Sequence, residues 1–178
     1  MSAQLELAGW RRQVSEMYAA VRAEPDPRAG HTLWRRRRDE LMRTHPQSPL
    51  RPGDPLRDTG LPYWPYDPAM RFGLPLRPPP PGLARLALPT DGDGFTELRL
   101  IGQIELPAPL NASLDVWWLG QYGGGLFLPV RDGTAGQSSY GGGRYALDTA
   151  KSADLGGGPE SLIVDFNFLY HPSCRYDD

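Results

Sequence analysis

The chain has 178 residues, a formal net charge of −2 and a sequence pI near 5.9, which suits one domain with a real core and gives no basic field to draw it to nucleic acid. Lys151 is the only lysine and Cys174 the only cysteine, which argues against Schiff-base chemistry, a phosphate loop of the lysine-bearing kind and any internal disulfide. No apolar run reaches the length of a signal peptide or a membrane span, so the expectation is a soluble cytoplasmic protein without membrane contact.

Leu7, Trp10, Val14, Met17 and Val21 recur at spacings of three and four, which predicts a first helix with one apolar face, ended by Pro25 and Pro27. Asp26 can cap a second helix, with Pro27 at its first position, running to about Thr44. Arg35 to Arg38 are consecutive on that helix and point in all directions. They read as a solvated face with one or two inward ion pairs. From His45 to Gly82 the chain is punctuated by proline, and Pro78 to Pro81 must be extended. A stiff surface connection is expected there, with Tyr63, Trp64 and Tyr66 covering the core.

After Gly82 the pattern becomes β. Candidate strands are Leu86 to Leu88, Phe95 to Leu106, Leu114 to Leu119, Leu126 to Val130, Arg144 to Asp148 and Leu162 to Phe168. Turn signals separate them, among them Asp91 to Gly94 and Gly156 to Pro159. Ser138 to Tyr140 read as extended chain, and Gly141 to Gly143 as a sharp turn that aims Arg144 and Tyr145. The whole predicts a single domain over 1–178, with a helical N-terminal segment over 1–44, a proline-rich connection over 45–82 and a β core over 83–178. Its fold class is mainly β: an antiparallel barrel or sandwich with two helices packed outside.

The order Trp34-Arg35 and Arg38-Asp39 on a helix, then His45-Pro46 and Ser48-Pro49-Leu50, then LFLPVRDGTAGQSSYGGGRY and DFNFLYHPSC, resembles the bacterial proteins of unknown function grouped as DUF1684. The resemblance spans about Trp34 to Cys174 and implies no assigned chemistry. Its departures fall on polar positions. Ser138 and Ser139 stand where the family has Glu-Thr, Phe168 where it has Arg, and His171 where it has Asn. The family also continues past its cysteine, so this chain resembles a shortened, divergent member.

Several chemistries lack their components. His171 and Cys174, with only His31 and His45 besides, fall short of a structural zinc set. Cys174 has no activating partner except His171 and reads as a small buried hydrophobe. Ser138 does not sit in a G-x-S-x-G elbow, and no G-x-G-x-x-G joins a strand to a helix.

Acid–base chemistry or polar binding remains, and no organic cofactor is called for. If Asp165 and Asn167 alternate on one strand face, with Arg144 close to Asp165, they form a polar pocket in an apolar shell. In that reading Asp165 is the base, His171 or Tyr170 the acid, and Arg144 holds an oxyanion or carboxylate. Asn167, Tyr145, Asp132 and Tyr140 contact the substrate. The expected partner is a small molecule undergoing cyclisation, isomerisation or elimination, and a homodimer is compatible with the sequence. The competing class is a non-catalytic binding or interaction module, using the aromatic and proline-rich stretch from Tyr63 to Pro81.

Overall fold

The computed structural model describes residues 2–82, 85–89, 94–120 and 122–176. Helix α1 spans Ala3–Ala23 and α2 spans Pro27–Thr44. Both starts are capped as their sequences dictate: Leu5 N–H donates to Ser2 Oγ (3.4 Å) and Arg28 N–H to Asp26 Oδ1 (3.0 Å). Met17, Tyr18 and Val21 of α1 face His31, Trp34, Arg38 and Leu41 on the buried stripe of α2, and Trp34 Nε1 donates to Tyr18 Oη (3.2 Å). A one-turn helix, α3, follows at Leu56–Thr59. Asp39 then ties the next segment to α2, accepting from Leu61 N–H (3.1 Å) and Tyr63 Oη (2.9 Å). No described helix is long and apolar enough to cross a membrane.

Among the described residues, eight antiparallel strands form two sheets. The smaller joins β1 (Arg71–Pro75), β8 (Ser161–Asp165) and the short β7 (Gly157–Gly158), in the order β1-β8-β7. The larger runs β2 (Arg85–Pro89), β3 (Phe95–Leu106), β4 (Ala112–Leu119), β5 (Gly125–Val130) and β6 (Arg144–Asp148) in sequence order. Leu74 and Val164 of the small sheet pack against Ile104, Val116, Leu128 and Leu147 of the large one, so the two sheets share a core in the manner of a sandwich. A second cluster docks the helices: Met17, Tyr18, Val21 and Trp34 surround Phe168, with Ala153 and Leu155.

Among the described residues no closed barrel is formed. Between the sheets the described residues show only single bridges, Arg77 with Gln103 and Tyr145 with Tyr170. The expected strand to Phe168 stops at Asp165, and Phe166–Phe168 form a 3₁₀ turn. Asp165 is the cause: its Oδ1 accepts from Asn167 N–H (3.0 Å), a local bond that competes with continued pairing. Phe166 then packs toward the sandwich core and Phe168 toward the helices. Two further expectations change. The proline-rich connection contains β1, whose central-strand partner is β8. Ser138 to Tyr140 are not extended, because Gln137, Ser138 and Ser139 N–H groups all turn back to Thr134 O. Of the Asp91 to Gly94 turn, residues 91–93 lie outside the described residues.

At the first bridge, β3 makes an irregular step between Leu100 and Gly102, and a side chain on Gly102 would come within 2.7 Å of Leu76 Cδ1. Gly102→Ala should therefore loosen the junction of the two sheets. The expected cost is about 2 kcal/mol in urea unfolding, the scale of overpacking, and an unchanged midpoint would show that the junction yields freely.

Candidate functional site

Gly143 precedes β6 at φ 87°, and a Cβ there would meet Val130 O at 2.7 Å, so the turn that sets the direction of Arg144 excludes other residues. Arg144 is 5% exposed. Its Nη2 donates to Asp132 Oδ2 (2.6 Å), and its guanidinium lies 4.6 Å from the centre of the Trp64 ring. Asp132 is itself held by Thr134, through the backbone N–H (2.9 Å) and the hydroxyl (2.5 Å). Burial pushes the Asp132 carboxyl up, but the bonds from Thr134 and the charge of Arg144 outweigh it, and its pKa is lowered.

These groups line one side of a cavity of about 410 Å³, within the range of small-molecule sites. Leu61, Tyr63, Trp64, Met70, Phe166 and Leu169 give it apolar walls, and Asn167, Tyr170, His171 and Arg38 complete it. Arg38 reaches the cavity from α2, seven residues after the buried His31 on the same stripe. It is almost wholly buried, with its guanidinium 4.9 Å from the centre of the Tyr170 ring and 5.7 Å from that of Trp34. No carboxylate among the described residues pairs with it. The inward contacts of the arginine run are thus aromatic faces and not the expected ion pairs, and Arg35 likewise lies over Tyr63 at 4.7 Å.

His171 closes the far wall. Its Nε2 accepts from Tyr140 N–H (3.3 Å), which leaves the ring proton on Nδ1. Burial, then the charges of Arg144, Arg175 and Arg38, lower its pKa to about 4, so the imidazole is neutral at pH 7. Tyr170 is pushed the other way, well above the ordinary phenol, chiefly by burial.

The pair expected between Asp165 and Arg144 is not formed. Arg144 takes Asp132, while the fully buried Asp165 takes Arg71 through Oδ2 (3.1 Å) and both the N–H and the Nδ2 (2.7 Å) of Asn167 through Oδ1. Asp165 does not line the cavity, which removes the geometric basis for its role as base. Asn167 does line it, but Nδ2 also donates to Asp67 O (2.8 Å) and its Oδ1 accepts from Asp67 N–H (2.8 Å), so it clamps the segment beside Trp64. Tyr145 and Tyr140 lie outside this cavity. Tyr145 pairs its backbone with Tyr170, and Tyr140 points its hydroxyl at Cys174 Sγ (3.8 Å). Cys174 is exposed, contrary to the expected buried hydrophobe, because its 3₁₀ turn at Ser173–Arg175 lies on the surface. Sequence reasoning missed Arg38, Trp64 and Arg71. The signal for Arg38 was its place four residues after Trp34, on the buried stripe. Among the described residues no group of three His, Cys, Asp or Glu is placed to hold a metal ion.

Two outcomes follow from this geometry. The imidazole of His171 should titrate near pH 4 by NMR, below the usual midpoint of about 6.5. An unfolded chain then binds the proton more readily than the folded one, so His171 contributes stability that is full above about pH 6.5 and fades as the pH falls toward 4. His171→Asn should flatten that slope, and a midpoint near 6.5 in the native protein would contradict the arrangement. Asp165→Ala strands Arg71 and the Asn167 N–H, leaves Asn167 Nδ2 with Asp67 O alone, and should cost about 3 kcal/mol in urea unfolding. A loss under about 1 kcal/mol would mean that Asp165 does not organise the turn.

No curated protein sequence matches the chain significantly. Among solved structures, the chain is similar to an uncharacterized protein of Haloarcula marismortui determined by solution NMR. The identity is 30%, the match covers 81% of this chain and 77% of that one, and the TM-score is 0.52. The model of one family, described as a protein of unknown function (DUF1684), matches residues 58–178, from α3 through both sheets and the cavity wall. The chain belongs to the DUF1684 family.

Proposed function

We propose that this protein binds a small organic anion in the cavity between Arg38 and Arg144, and that binding rather than catalysis is its role there. The observation that carries the reading is Arg38. A guanidinium so nearly buried, facing only aromatic rings among the described residues, is costly unless something anionic completes it. A carboxylate or sulfonate on Arg38 matches planar donor to planar acceptor, and Trp64 and Phe166 supply walls for an apolar or aromatic body.

The groups present favour binding over proton transfer. A base that works near neutrality needs a pKa near neutrality, and none of the candidates offers one. His171 is too weak, Tyr170 too reluctant to ionise, and Asp132 is committed to Arg144. The cyclase, isomerase or lyase reading becomes the alternative. It rests on His171 alone, whose Nδ1–H can donate beside the bound anion.

The test uses benzoate at pH 7, followed by calorimetry or by NMR shifts of the Trp64 indole. Wild type should bind saturably, and Arg38→Met should weaken binding about 10-fold or more, the scale of one charged hydrogen bond. Arg144→Met should weaken it at least as much, since it also leaves the Asp132 carboxylate unneutralised in the wall. Equal affinity in wild type and Arg38→Met would end the proposal. If a bound molecule were found to be converted, and His171→Asn stopped conversion without loss of binding, the catalytic alternative would replace it.

A further inference from the structure

We infer that the anion is amphipathic: its head sits on Arg38, and an unbranched apolar tail runs past His171 into a second cavity beneath the helix pair. The inference rests on the anion site proposed above and names the class of its ligand, a medium-chain monocarboxylate. The second cavity measures about 400 Å³ and lies between α1, α2 and the chain from Tyr145 to Cys174. Arg38, Tyr170 and His171 line both cavities, so the two spaces adjoin at these three side chains.

The helix stripe accounts for the apolar character of the second space. Leu7, Trp10, Val14 and Met17 repeat at helical spacing, yet only Met17 of the four is fully buried, while Val14 and Trp10 pack at the edges of two core clusters. The three earlier residues face the cavity, together with Met17 and Met42, whose flexible thioethers adapt to a chain of variable shape. No carboxylate lines this cavity among its described residues, while Arg11 and Lys151 stand in its lining. A second anionic group is not required, because Lys151 already pairs with the buried Asp148 (3.3 Å). An apolar stripe beginning beside a lone buried guanidinium fits one molecule with a charged end and a hydrocarbon end.

The probes are benzoate, hexanoate, octanoate and decanoate, each measured by calorimetry with the whole protein at pH 7. Affinity should rise about fourfold for each methylene added, about tenfold or more from octanoate to decanoate, the gain expected for burying hydrocarbon. Val14→Trp, which fills the second cavity, should flatten the aliphatic series to within about twofold and leave benzoate unchanged. Intermolecular NOEs from the decanoate chain to the Val14 and Met42 methyl groups of wild type provide the same evidence should the variant fail to fold. Binding of benzoate with no preference for longer chains would overturn this inference and leave the anion site standing. A chain-length preference that survives in folded Val14→Trp, or NOEs absent from both methyls, would overturn it as well. If neither benzoate nor decanoate binds, the anion site falls too.

Discussion

One buried carboxylate governs the middle of this structure. Asp165 ends β8 by accepting the N–H of Asn167, and it holds Arg71 at the start of the neighbouring strand. The turn it enforces sends Phe168 into the helix cluster, where it packs 5.1 Å from Trp34 and 5.2 Å from His31, ring centre to ring centre. Leu169 to His171 then leave the sheet at an angle that brings Tyr170 beside β6 and onto Arg38. Through Asn167 the same carboxylate fixes the backbone at Asp67, beside the segment that carries Trp64 into the cavity wall. A continuous strand through Phe168 would place none of these groups together.

The cavity owes its electrostatics to an imbalance. Arg144 is neutralised by Asp132, and Arg71 by Asp165, but among the described residues Arg38 meets only π faces. Aromatic rings stabilise a guanidinium by roughly 0.5–2 kcal/mol, less than the cost of removing it from water. Burial first, and then the charges of the neighbouring arginines, explain His171. An imidazole walled in beside three arginines cannot gain a fourth positive charge cheaply, so it stays neutral and accepts the Tyr140 N–H. His171 therefore supplies a hydrogen-bonding ring without supplying a neutral-pH acid.

The division of the sheets follows from where glycine and proline fall. Gly102 allows the chain after β1 to lie directly against β3, and the polyproline run beyond Arg77 ends pairing there. The helices cover the side of the sandwich that Phe168 and Leu155 leave apolar. The N-terminal half of α1 extends past this contact, and the space beneath it is the second cavity.

Much of the architecture was legible because it is local. The start of α2 followed from Asp26 and Pro27, and β3 and β6 from strand-forming residues between turn signals. β1 was not legible, since two prolines and a glycine near Arg71 to Pro75 hide a strand that exists only because β8 pairs with it. The site divided along the same line. Arg144, Asp132, Asn167, Tyr170 and His171 were recognisable as polar residues near strand ends, and the structure gathers them round one cavity. Which charge met which was decided by folding alone. Asp165 lies 94 positions from Arg71, and Trp64 reaches Arg144 across most of the β core, so strand register and a single 3₁₀ turn chose the partners. Sequence periodicity reports which face a residue occupies, whereas an ion pair depends on two faces meeting, and only the tertiary structure brings them together.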